Sequence, residues 1–227
     1  MASDADSSLD KLGREALRYV KSGQTIGLGT GRAASAFIRA LGQSRIAVRA
    51  VPTSNASDQL AREVGIEVVS LADAPKLDAD FDGADEVDPR LNLVKGYGGA
   101  LVREKIVAAS SRRFIVLVGA EKLVTKLGAR GSIPVEVVPF AAGFATRAIA
   151  KLGLKPRVRA SDGDDYVTDN GNLILDCATK PINRPARLER ALLSIPGVVG
   201  TGLFIGMTDL VLVADSDGAI RTLRRRR

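Results

Sequence analysis

Apolar residues at Leu9, Leu12, Ala16, Leu17 and Val20 recur at helical spacing, so an amphipathic helix is predicted from Ser8 to about Val20. The short segment 24–28 reads as a buried strand ending in glycines, and 33–41 has helical composition. A second strand over 45–51, a helix over 54–64 with Ser54 as its N-cap and a third strand over 66–70 follow. Residues 77–81 look extended and run into the polar turn Asp82-Gly83-Ala84-Asp85-Glu86, before a helix over about 100–110 and an apolar strand over 114–118. Strands alternating with helices through short loops imply a mostly parallel sheet covered on both faces, which binds ligands at the carboxyl ends of its strands.

After Gly131 the pattern changes. Strand 133–138, helix 141–152, strands 155–160 and 172–176, helix 184–194 and strand 198–204 give the order βαββαβ, a ferredoxin-like unit. Leu210 to Ala214 and Ala219 to Leu223 then return to the first sheet. The expected fold class is α/β: a Rossmann-like, mostly parallel sheet domain from residues 1–131 and 205–227, with a smaller α+β domain, 132–204, inserted in it.

Composition narrows the chemistry. With 45% apolar and 26% charged residues in 227, the chain is an ordinary globular protein. No apolar run approaches the roughly 18 residues of a membrane span, and Met1 to Asp10 is polar and acidic, so a cytoplasmic protein without membrane attachment is expected. Cys177 is the single cysteine and there is no histidine, which removes internal disulfides, Ser/His/Asp triads, Cys/His dyads and histidine-bearing zinc sites. Proton chemistry falls to carboxylates and lysines. Of the formal charge of +7, Arg221, Arg224, Arg225, Arg226 and Arg227 supply five, leaving +2 elsewhere. Aromatics make up only 4%. A phosphate-tracking surface needs cations spread over a face and interleaved with stacking aromatics, so no nucleic-acid partner is expected and the arginine tail reads as a solvated, frayed terminus.

Two segments carry candidate chemistry. Gly27-Leu28-Gly29-Thr30-Gly31-Arg32-Ala33-Ala34 is a strand-to-helix turn whose glycines let backbone N–H groups approach an anion. A turn built only for tight strand–helix packing would look similar, but Thr30 and Arg32 add a hydroxyl and a cation that suit a phosphate. Gly29, Gly31 and Ala34 also satisfy a loose dinucleotide pattern, G-x-G-x-x-A. That pattern expects an acid about 20 residues on, whereas the second strand ends Val48-Arg49-Ala50-Val51, so only a 2′-phosphorylated cofactor would suit it. The second segment, Asp82-Gly83-Ala84-Asp85-Glu86-Val87-Asp88-Pro89, concentrates four acids and departs from the alternation of a calcium loop. It is followed by Lys95-Gly96-Tyr97-Gly98-Gly99-Ala100-Leu101-Val102-Arg103-Glu104-Lys105. Carboxylates and lysines without histidine suit proton abstraction beside a carbonyl, with ammonium groups stabilising an enediolate; the bland alternative is a surface salt-bridge network.

These runs, together with Pro134-Val135-Glu136-Val137, Thr168-Asp169-Asn170-Gly171-Asn172 and Pro196-Gly197-Val198-Val199, resemble ribose-5-phosphate isomerase, type A, over nearly the whole chain. The resemblance implies a cofactor-free and metal-free enzyme that interconverts ribose 5-phosphate and ribulose 5-phosphate in the non-oxidative pentose phosphate pathway, acting as a homodimer or a dimer of dimers. Glu104 matches the family's base, Asp82 assists ring opening or proton traffic between the two sugar oxygens, Asp85 supports the same site, and Lys95 stabilises the enediolate. Substrate contacts are implied for Thr30, Gly31, Arg32 and Ala33 at the phosphate, for Asp82, Gly83, Ala84 and Asp85, for Lys95, Gly96, Tyr97 and Gly98, and for Lys122. The chain departs from the family where Arg32-Ala33 replaces Ser-Thr, where Tyr97 replaces a glycine, and where Gly119-Ala120-Glu121 replaces a more polar run. A sugar-phosphate sensor would need the phosphate loop but no base; Glu104, Asp82, Asp85 and Lys95 together favour the enzyme.

Overall fold

A computed structural model describes residues 4–74 and 76–225. Helix α1 (Asp4–Ala16) continues into one 3₁₀ turn, Leu17–Tyr19, and buries the predicted stripe at Leu12 and Ala16. Strand β1 (Thr25–Leu28) leads into α2 (Arg32–Gln43), β2 (Arg49–Pro52), α3 (Asn55–Glu63), β3 (Glu67–Val68) and β4 (Ala79–Gly83). Ser54 caps α3 as expected: its Oγ accepts from Ser57 N, and Ser57 Oγ accepts from Ser54 N, each at 3.0 Å. Next come β5 (Glu86–Val87), β6 (Leu93–Val94), α4 (Leu101–Ala109), β7 (Phe114–Gly119), β8 (Ser132–Val137), α5 (Ala142–Ala150), β9 (Lys155–Val158), the hairpin strands β10 (Ala160–Ser161) and β11 (Asp164–Asp165), and β12 (Leu173–Ala178). Helix α6 (Pro185–Leu193), β13 (Val198–Thr201), β14 (Leu203–Phe204), β15 (Leu210–Ala214) and β16 (Ile220–Arg224) complete the chain.

The chain forms two compact units, residues 1–84, 103–123 and 207–227 in the first and 85–102 and 124–206 in the second. Residues 85–102 and 124–131, expected with the larger domain, group with the smaller one.

In the first unit seven strands lie in the order β16-β15-β7-β4-β1-β2-β3, parallel except for the antiparallel β15–β16 edge. The apolar residues of α1, α2 and α3 pack on one face of this sheet, against Ile26, Leu28, Ala50, Ala79, Phe81, Ile115 and Leu117. Phe37 stacks on Phe81 with ring centroids 4.4 Å apart, an arrangement worth about 0.5–1.5 kcal/mol beyond the area it buries. On the other face Val107 of α4 joins Val51, Ala74 and Leu77. Arg224 ends β16 rather than fraying, Arg221 Nε pairs with Asp215 at 2.9 Å, and Arg226 and Arg227 lie outside the described residues.

The second unit holds a four-stranded antiparallel sheet in the order β13-β8-β12-β9, the 4-1-3-2 order of a βαββαβ unit. Ile133, Val135 and Val137 bury one face with Ala145 and Ile149 of α5 and Leu192 of α6. Cys177 is fully buried there, and burial pushes its thiol up to about 12. A small sheet, β14-β6-β5, also belongs to this unit. The expected continuous strand 198–204 breaks at Gly202, whose N–H donates to Pro134 O at 2.7 Å while its carbonyl accepts from Lys95 N at 2.8 Å.

Candidate active site

The candidate residues fall into two sets, one in each unit. In the first unit they gather at the carboxyl ends of three neighbouring parallel strands: Thr30 after β1, Asp82 near the end of β4 and Lys122 on the 3₁₀ turn Ala120–Lys122 after β7.

Alternation along β4 sends Ala79 and Phe81 into the core and Asp80 and Asp82 to the face that α4 covers. Both aspartates are fully buried. Room for them comes from β1, where the register sets Gly27 beside Asp80. A Cβ on Gly27 would lie 2.4 Å from Asp80 Oδ1 and 2.4 Å from Val107, and one on Gly29 would lie 2.1 Å from the Asp82 carboxyl carbon. The G-x-G of the sequence is therefore the complement of D-x-D on the next strand. Asp82 Oδ1 accepts the N–H groups of Thr30 at 3.0 Å and Gly83 at 2.7 Å, which draws Asp82 and Gly83 into the strand instead of the predicted turn.

Thr30 sits in a hydroxyl cluster. Its Oγ1 donates to Ser54 Oγ at 2.8 Å and shares a hydrogen bond with Thr53 Oγ1 at 2.9 Å. Beside it a cavity of about 490 Å³ is lined by Thr30, Gly31, Arg32, Ser35 and Arg39, together with Asp10. Gly31 occupies the N-cap of α2 at φ 102°, a left-handed conformation that favours glycine. Ala33, by contrast, packs its side chain against the core, so only its backbone faces this end of the helix. Arg49 begins β2 opposite Thr25, at the far end of the sheet from the glycine loop, and its Nη2 donates to Thr25 Oγ1 at 3.1 Å. This position removes the partner that a 2′-phosphorylated dinucleotide would need.

Glu104 is one of the buried positions of α4, with Leu101, Val107 and Ala108, and is only 4% exposed. A carboxylate at a core position of an amphipathic helix is costly unless chemistry or pairing requires it. Lys122 is half-buried.

In the second unit Asp85 joins the glycine-rich segment. Its amide donates to Val94 O at 2.8 Å and its Oδ2 accepts from Tyr97 N at 3.0 Å. Lys95 is 2% exposed, and its Nζ stands 5.7 Å from the centroid of the Phe204 ring. Gly96 is buried at φ 103°, whereas Gly98 is exposed. The Tyr97 hydroxyl donates to Ser132 O at 3.2 Å, and burial, with Glu86 and Asp85 nearby, pushes the phenol up to about 12, so it remains a donor at neutral pH.

The other two acids of the Asp82–Asp88 run serve the fold. Glu86 accepts the amides of Gly128 and Arg130, each at 2.6 Å, and Asp88 accepts those of Arg90 and Asn92, each at 2.8 Å. These buried and part-buried backbone contacts show that Glu86 and Asp88 are not simply solvated loop acids. Among the described residues no group of three or more His, Cys, Asp or Glu side chains is arranged to hold a metal ion. Sequence reasoning passed over Asp80, Thr53, Arg39 and Gly202. Asp80 becomes readable only with the pairing of β1 and β4, which sets its D-x-D against the G-x-G; the other three carried no signal in the sequence.

Residues 49–218 match the family model described as ribose 5-phosphate isomerase A (phosphoriboisomerase A). The chain is 49% identical over 212 residues to ribose-5-phosphate isomerase A of Roseiflexus castenholzii, covering 90% of each chain. It is 46% identical over 219 residues to the protein of the same name from Gloeobacter violaceus, covering 95% of each. Among solved structures, ribose 5-phosphate isomerase A from Methanocaldococcus jannaschii superposes with a TM-score of 0.91 at 41% identity, over 98% of this chain and 100% of that one. A D-ribose-5-phosphate isomerase in complex with phospho-erythronic acid superposes with a TM-score of 0.93 at 37% identity, over 96% of this chain and 98% of that one.

Proposed function

The chain belongs to the ribose 5-phosphate isomerase A family and interconverts ribose 5-phosphate and ribulose 5-phosphate in the pentose phosphate pathway, and we propose that Glu104 is the base that moves the proton. The observation that carries this assignment is the burial of the Glu104 carboxylate in the apolar stripe of α4. In the open-chain aldose, Glu104 removes the C2 proton, the electron pair forms the C1–C2 double bond, and the carbonyl oxygen O1 takes up charge as a cis-enediolate. Asp82 and Asp85 pass a proton between O2 and O1. Glu104 then returns its proton to C1 as C2 becomes the carbonyl, so no proton is gained or lost overall.

Lys95 and Lys122 offset the enediolate charge, acting where charge develops during the reaction. Thr30, Gly31 and Arg32 take the phosphate, supported by the cavity they line at the N-terminus of α2. Gly83, Ala84 and the Gly96–Gly98 backbone complete the sugar contacts. We assign the reaction to the cytoplasm, a reading supported by a substrate too charged to cross a membrane unaided. No helix among the described residues is long and apolar enough to span a bilayer. We assign a homodimer, on the strength of exposed apolar side chains in the second unit.

The deciding experiment is conversion of ribose 5-phosphate by purified protein in chelator, beside Glu104→Gln. The variant is expected to lose about 10²- to 10⁴-fold in kcat with KM within a few-fold of wild type. Near-normal turnover in the variant would transfer the base to an aspartate.

A further inference from the structure

No motif drew attention to Arg159, which follows β9 in the second unit. Its guanidinium nevertheless holds two successive carbonyls of the glycine-rich segment in place. Nη1 donates to Gly96 O and to Tyr97 O, each at 3.0 Å. The rest of the fork is bidentate on Asp176 of β12, with Nε to Oδ2 at 2.9 Å and Nη2 to Oδ1 at 2.6 Å. The arginine side chain is 14% exposed, and its centre lies 5.7 Å from the centroid of the Tyr166 ring. Tyr166 closes the same segment from another direction: a Cβ on Gly99, at φ 86°, would lie 2.1 Å from its hydroxyl.

These contacts have a stereochemical consequence. In a trans peptide the C=O and the following N–H point in opposite directions. With the Gly96 carbonyl held by Arg159, the Tyr97 N–H is turned away, and it donates to Asp85 Oδ2 at 3.0 Å. With the Tyr97 carbonyl held likewise, the Gly98 N–H is turned away as well, at an exposed glycine. One side chain thereby fixes two peptide planes, seats the Asp85 carboxylate and aims a backbone donor.

We propose that Arg159 is a positioning residue for the isomerisation: by bridging Asp176 to the Gly96 and Tyr97 carbonyls it sets the orientation in which Asp85 and the Gly98 N–H meet the sugar. The inference rests on the assignment of Asp85 and the Lys95–Gly98 segment to the substrate. Arginine is needed because its planar fork supplies the carboxylate pair and the carbonyl contacts together, whereas an ammonium is a single point of charge.

The test compares wild type, Arg159→Met, Arg159→Lys and Asp176→Asn by amide hydrogen exchange over residues 95–101 and by steady-state kinetics well below each variant's melting midpoint. Arg159→Met is expected to speed exchange at Tyr97 and Gly99 and to lower kcat about 10- to 100-fold, with a smaller change in KM. Arg159→Lys is expected to recover part of kcat. Asp176→Asn loosens the fork while leaving the arginine in place, and is expected to show the same changes in weaker form, which keeps the test open if Arg159→Met fails to fold. Unchanged exchange in both variants, or faster exchange with kcat within twofold of wild type, overturns the proposal. Wild-type protein that does not turn over ribose 5-phosphate would instead defeat the substrate assignment, and the exchange data alone would then decide whether Arg159 holds the segment.

Discussion

Position 32 carries a guanidinium where the sequence resemblance leads one to expect a hydroxyl. Arg32 is the first residue of α2 and lines the cavity with Thr30, Gly31 and Arg39. A charge-assisted hydrogen bond to phosphate contributes about 1.5–3 kcal/mol against about 1 kcal/mol for a neutral one. Arg32→Ala is therefore expected to raise KM for ribose 5-phosphate at least several-fold with little change in kcat; initial-rate kinetics would show an unchanged KM if the side chain points elsewhere. At this scale the site was legible wherever a residue type broke its local pattern. Glu104 falls on the apolar repeat of α4, and Thr30 and Arg32 stand in a glycine turn, so each is conspicuous in one dimension. Asp80 was not, because its meaning lies in its partner: a buried aspartate is readable only once β1 and β4 are known to be neighbours with Gly27 beside it. Arg159 is harder still, since both of its attachments are remote in sequence, at Gly96 and Tyr97 on one side and Asp176 on the other.

Elements long enough to show a period were predicted close to their observed bounds, α2 and β7 among them. The two-residue strands β5, β6 and β14 show none, and β14 finds its partner more than a hundred residues upstream, where Leu203 pairs with Val94 and Phe204 with Leu93. Strand 45–51 shortened to β2 at Arg49, and strand 198–204 divided at Gly202. The division brings the chain close against the Lys95 backbone, since a Cβ on Gly202 would lie 2.2 Å from Lys95 O. Gly202→Ala must push back the backbone that carries Lys95. It is expected to cost about 1–3 kcal/mol of stability and to lower kcat more than a surface Gly→Ala change such as Gly153→Ala; a melting curve and a rate measurement check both. Wild-type kcat in Gly202→Ala would free Lys95 from this dependence.

On the molecular scale the second unit carries a patch that water does not favour. Phe140 is fully exposed, and Val138, Phe144, Leu193 and Val199 are between 39% and 50% exposed. Val138 and Gly197 are joined by a hydrogen bond of 2.8 Å, which brings the Val138–Phe144 segment beside the turn preceding Val199. Apolar side chains concentrated in this way mark an association surface. If this patch forms the proposed dimer, Phe140→Glu is expected to halve the mass seen by sedimentation velocity at micromolar protein; a wild-type mass already that of one chain, or a mass unchanged by the substitution, would remove the patch as a dimer contact. The βαββαβ order was readable because each of its elements is regular, but the membership of residues 85–102 in the second unit was not, because their pairing partners lie more than a hundred residues later. The chain passes from one unit to the other after Ala84, Val102, Leu123 and Gly206. Neither unit is encoded by an uninterrupted stretch of gene. Recombination that exchanges either one must join four seams at once, and the first two seams part Asp82 from Asp85 and Lys95 from Glu104, so a single crossover there between distant relatives draws the proposed site residues from two parents. Such a protein changes more readily by substitution than by shuffling.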